Sequence, residues 1–252
     1  MASIFANQEE IMKKTVLFLI ALATISVVFA QKTKSKKDYT KILSRPGDHI
    51  MIQLTSDHWI GTPDSIKSRM TGISRGANFY IMLDKPFKNN PQMSVAFGVG
   101  IGTSNIYFKN TNVDIKSTST MLPFTNLDST NHFKAYKLTT AYLEAPIELR
   151  FSADPENDGK SFKAALGIKV GTILNAHTKG KTLLTKSGST LDSYTEKESS
   201  KHFFNSTRLA ATARIGYGKL SLFGSYQINS IFKDGVAPNT QLLQVGLCIS
   251  GL

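Results

Sequence analysis

A single cysteine, Cys248, excludes an intramolecular disulfide and any multi-cysteine zinc site. It stands far from the N-terminal apolar run, so no lipoprotein anchor is read there. After residue 30 no stretch approaches the ~18–20 apolar residues that a membrane helix needs. The mature chain is therefore soluble, or it crosses a membrane as strands. No Gly-rich phosphate loop is present: Gly98, Gly100 and Gly102 alternate within an apolar segment, which suits close packing. Acidic residues are scarce, 18 against 30 Lys and Arg, giving a net charge of +12. Such a balance invites a nucleic-acid reading. The aromatics lie apart from the lysines, however, and no recognition motif occurs, so no nucleic-acid partner is expected.

The one long apolar run spans Thr15 to Ala30. Lys13 and Lys14 precede it, Val28 and Ala30 hold the small positions before a cleavage point, and Gln31 follows. This is the pattern of a secretory signal peptide over residues 1–30, with Met12 as the natural start, and it implies export through the Sec pathway. An uncleaved anchor is the alternative, against which the shortness of the run argues. Lys32, Lys34, Lys36, Lys37, Lys41 and Arg45 then crowd residues 31–48. This basic periplasmic segment is either a solvated tail or a contact for acidic headgroups or an acidic partner.

From residue 49 the pattern is alternation with a period of two, as in strands with one oily and one polar face. Between Lys137 and Phe151, one row holds Leu143, Ala145, Ile147, Leu149 and Phe151. The other holds Tyr142, Glu144, Pro146, Glu148 and Arg150. Similar double rows run over 77–84, 93–102, 162–175, 208–217, 220–229 and 243–250, with a weaker one at 49–54. Phe223 is the exception, an aromatic on a polar row. Short connections (83–93, 153–161, 217–220) alternate with long ones (55–74, 109–133, 179–203, 231–240). That alternation predicts an all-β fold for residues 49–252: an eight-stranded antiparallel up-and-down transmembrane β-barrel, preceded by a signal peptide, with both termini periplasmic.

Alternation also fits a soluble periplasmic barrel that binds a ligand inside. Two features favour lipid outside. The polar rows are rich in Gly, Ala, Ser and Thr, which fit a narrow lumen, and several strands run to the ~9–11 residues a tilted membrane strand needs. The strand charges then point inward, and a buried carboxylate is costly unless paired. Glu144, Glu148, Arg150, Lys163, Lys169, Arg208 and Arg214 are expected to form a charge network in a filled lumen, which argues against a wide pore.

The segment from Tyr142 to Phe151, reading Tyr-Leu-Glu-Ala-Pro-Ile-Glu-Leu-Arg-Phe, resembles a strand of the PorT-like outer-membrane β-barrel proteins of Bacteroidetes. The strand from Ala165 to Gly171 sits where that family has a Gly-containing strand. Leu243 to Leu247 resembles its closing Gln-x-Gly-Leu. The resemblance spans about residues 70–252. It implies an outer-membrane location in the cell envelope and suggests an accessory role in type IX secretion, although fold likeness alone does not carry function.

Catalytic and metal chemistry is weakly signalled. His58, His132, His177 and His202 fall in or near the long connections, and Ser129 stands near His132, but Ser and Thr are too dense there for the pairing to carry meaning. An outer-membrane lipid-modifying enzyme is thus a minor alternative; neither an enzyme nor a cofactor is expected, and no ligand spacing suggests a metal. Asp64-Ser65-Ile66 and Asp128-Ser129-Thr130 match a short acceptor pattern for Bacteroidetes O-glycosylation. The expected partners are outer-membrane lipid and an envelope or secretion-machinery protein. Oligomeric state has no signal in the sequence.

Overall fold

The structure is a computed structural model in which residues 50–251 are described. The expected signal peptide over 1–30, the basic segment 31–48 and His49 lie outside them.

Eight strands close into one antiparallel barrel: β1 (Ile50–Ile60), β2 (Arg75–Phe87), β3 (Asn90–Phe108), β6 (His132–Ser152), β7 (Phe162–Leu184), β9 (Thr207–Tyr217), β10 (Leu220–Gln227) and β11 (Gln241–Ser250). Each pairs with its neighbour in the chain, and β11 returns to β1 with Met51 opposite Ser250 and Ile60 opposite Gln241. Closure removes every edge within the barrel wall. Three further strands lie between barrel strands. β4 (Thr111–Val113) pairs with β5 (Phe124–Asn126), and β8 (Thr190–Ser199) pairs with the last residues of β7. A single helical turn, α1 (Asp64–Lys67), sits in the first long connection.

The connections at one end are short. β9 and β10 turn through Gly218 and Lys219, with Gly218 at φ 59°, the left-handed conformation that a two-residue hairpin needs at its first position. β2 and β3 turn through Lys88 and Asn89. Here the structure corrects the sequence expectation of a longer turn over 83–93. Pro86 stays within β2, where the register shifts, because a strand tolerates a missing N–H at an irregularity.

At the other end the strands outrun the sequence reading. β1 continues to Ile60, β6 begins at His132 and β7 reaches Leu184, so much of the connections read at 55–74 and 179–203 is β-structure. Beyond the apolar belt the outward face of these extensions carries Ser56, His58, Lys137 and Lys179, while the inward one mixes Asp57 and Thr178 with Trp59 and Tyr136, so the oily-outside alternation is lost there while the hydrogen-bonded ladder persists.

The outward rows are apolar and uncovered. Leu54 is 59% exposed, Leu166 67% and Leu222 63%, with Ile81, Val99, Ile147 and Val245 beside them. A water-soluble monomer does not carry a continuous apolar belt of this kind. Facing hydrocarbon, the belt is the barrel's solvation. The inward rows are buried. Near the short turns Met51, Tyr80, Met82, Ala96, Phe223 and Cys248 pack together, which accounts for Phe223 on a polar row. At the far mouth Trp59, Phe108, Val113, Leu122, Phe203 and Phe232 form a second cluster, made largely by the long connections. Trp59 meets the Phe108 and Phe232 rings edge-on at 5.7 and 5.5 Å.

Candidate functional site

Below the far cluster, and interleaved with the one that holds Tyr80, Ala96 and Phe223, the lumen holds ion pairs in two tiers. In the upper tier Glu144, 1% exposed, receives Lys169 at 3.2 Å and Arg208 at 3.0 Å. The Tyr80 hydroxyl donates to the same carboxylate. The Arg208 guanidinium lies 5.2 Å from the centre of the Tyr142 ring. Asp57 joins through Gln244, whose amide nitrogen donates to it at 3.1 Å and whose carbonyl oxygen accepts from Arg208 at 3.3 Å and Lys169 at 3.4 Å. Two carboxylates and two cations thus sum to zero.

The lower tier has the same balance. Glu148 accepts from Arg150 at 2.9 Å and Arg214 at 3.1 Å, while Arg150 stands 3.8 Å from Asp84. Local sequence explains the stacking: Glu144 and Glu148 are four residues apart on β6, so both point inward two pleats apart. Room for Glu144 comes from Gly102 on β3 and Gly171 on β7, where any Cβ would overlap its side chain.

Of the residues expected in the network, Glu144, Glu148, Arg150, Lys169, Arg208 and Arg214 come together. Lys163 reaches instead to Asp158, in the turn between β6 and β7, at 2.6 Å. Sequence reasoning missed Asp57 because it fell within a stretch read as loop. Asp84 lay on a polar row and could have been found by asking what balances Arg150.

Little space remains. The cavity between the upper tier and the far cluster, bounded by Trp59, Leu138, Tyr142 and Gln227, measures about 10 Å3, room for one water at most.

On the outer connections the candidate motifs are scattered. His132 Nδ1 lies 3.2 Å from the Thr130 carbonyl oxygen, and His58 Nε2 lies 3.0 Å from Ser56 Oγ. Ser65 falls within α1 and Ser129 in an exposed turn. Next to Ser129, Asp128 is clasped by Arg69 at 2.7 Å and by Asn110 at 3.0 Å. The hydrogen bond from Arg69, then that from Asn110, holds the Asp128 carboxyl well below the usual carboxylate range.

A closed barrel with an apolar exterior, a charge-balanced packed interior and long connections at one end defines an outer-membrane β-barrel protein. The family comparison agrees. The chain belongs to the family described as outer membrane protein beta-barrel domain, whose model matches residues 24–232. Among solved structures it is similar to Ail, the attachment invasion locus protein of Yersinia pestis, at 14% identity and a TM-score of 0.34, over 82% of this chain and 98% of that one. No curated protein matches.

Proposed function

We propose that this protein is a non-conducting, non-catalytic barrel that presents an interaction surface on the outside of the cell. The observation that carries the reading is the filled lumen: two neutral tiers of ion pairs packed among buried apolar side chains, with a further apolar cluster over the far mouth. With no route through the barrel, the remaining chemistry lies on the long connections. The β7–β8 hairpin is the most prominent of these. Among the described residues β8 pairs with β7 alone, so its other edge carries open backbone groups, and Leu191 and Tyr194 are exposed on it. An envelope protein adding a strand there is the partner this surface suits.

Planar-bilayer recording of the purified protein tests the closed lumen. No stable conductance step is expected, and large persistent steps would overturn the reading. The resemblance of Tyr142–Phe151 to PorT-like proteins supports a second reading, an accessory role in type IX secretion. In a Bacteroidetes host, deletion of the gene would then lower secretion of surface proteins, and unchanged secretion would remove that role.

A further inference from the structure

Beyond the interaction surface, the outer wall carries a row of cations that neither the lumen nor the hairpin edge explains. Tyr107 on β3 stands opposite Lys137 on β6, Lys137 opposite Lys179 on β7, and Lys179 opposite Lys197 on β8. Three lysines thus lie directly across from one another on adjacent strands. Like charges so placed destabilise a sheet. Arg75 extends the patch, with its guanidinium 5.6 Å from the centre of the Tyr107 ring, and the Lys137 ammonium lies 5.8 Å from it on this face. Lys137 donates to the Asn105 side chain at 2.6 Å. Among the described residues none of the three lysines is ion-paired. A groove of about 220 Å3 opens between Tyr107, Lys137, Lys179 and Lys181.

The hairpin sorts its charges by face. Glu196 and Glu198 stand opposite Gly180 and Thr178, and so lie on the other side of the sheet from Lys197. There they line a separate cleft with Asp114 and His132. A hairpin standing free in water has no reason to separate signs in this way. The height of the row supplies one. Lys137 is six residues beyond Leu143, the upper end of the apolar row on β6, or roughly 15 Å along the membrane normal for a strand tilted by about 40°. Measured from Phe151 at the lower end, the row stands about 10 Å above a ~25 Å apolar band. Lysine stems reach downward from such a position. Burial, then the charges of Lys179, Lys181 and Arg75, push the Lys137 ammonium below its ordinary value, the mark of a cluster lacking its counter-charge.

We infer that this outward row binds the phosphate groups of a phosphorylated glycolipid headgroup in the outer leaflet. The phosphates neutralise the facing lysines, and Tyr107 and Asn105 hold Arg75 and Lys137 in place.

The test uses the protein extracted in neutral detergent and titrated with bisphosphorylated lipid A, its dephosphorylated form and inorganic phosphate, with bound lipid counted by native mass spectrometry. Bisphosphorylated lipid should be retained. The triple variant Lys137→Gln, Lys179→Gln, Lys197→Gln should bind it about a hundredfold more weakly. Removing repulsion should leave this variant folded, as its unchanged electrophoretic heat shift would show. A control changing Lys85 and Lys219, at the opposite end, should bind like the parent. Equal retention of the dephosphorylated lipid, or an unaffected triple variant, would overturn the site. Binding of inorganic phosphate without the lipid would also overturn it, assigning the row to a free anion.

Discussion

At Glu144 two opposing terms meet: the cost of taking a carboxylate out of water and its return through Lys169, Arg208 and Tyr80. Deleting one member of such a set leaves the others buried and uncompensated. Glu144→Ala should therefore cost about 3–5 kcal/mol, measured by urea unfolding in lipid vesicles. Gly102 belongs to the same arrangement from the other side, because a side chain there has only the Glu144 carboxylate to displace. Gly102→Val is expected to lose about 1–3 kcal/mol or more by overpacking. Asp128 gives the pH dependence outside the membrane. Its folded pKa is depressed, so the clasp to Arg69 contributes fully above the ordinary aspartate value and is lost as pH falls through the lowered one. The connections should stay clasped across pH 5–7 and open only in stronger acid. Asp128→Asn should open them at neutral pH, seen as faster trypsin cleavage after Lys67 and Arg69 on intact cells; unchanged cleavage would show that the clasp does not hold this region.

Strands set the next scale, and β7 shows both what a sequence carries and what it hides. From Phe162 to Leu174 its outward row is apolar and its inward row small or charged, so strand, face and lumen charges were legible in advance. Past Leu174 a bulge opposite Ala141 and Tyr142 shifts the alternation by one residue, and from Lys179 to Thr182 neither face carries an apolar side chain. Patterning has no contrast to offer there, and Asp57 on β1 was lost for the same reason. Chemistry was less legible than fold: Lys163 has the right face and charge for the lumen network, but its place near the end of the strand brings it to Asp158. Height along the outward face of β7 also predicts opposite tolerances. Leu166→Arg, on the apolar row, should cost about 2–4 kcal/mol near mid-bilayer. Lys181→Arg, beyond the band, should leave unfolding in vesicles within experimental error.

For the molecule as a whole, closure, exterior and interior form one argument. A barrel this narrow must be filled, filling with charges requires balance, and a charged interior places the apolar rows outside, against lipid. The unequal connections predict the orientation, long ones at the cell surface and short ones in the periplasm. The most direct measurement is thiol labelling of intact cells with a membrane-impermeant reagent, using Ser187→Cys and Asn89→Cys singly in a Cys248→Ser background. Ser187→Cys, in the β7–β8 turn, should label on intact cells. Asn89→Cys, in the β2–β3 turn, should label only after the outer membrane is opened. Labelling of neither site on intact cells, with the protein recovered in the soluble periplasmic fraction, would contradict the account.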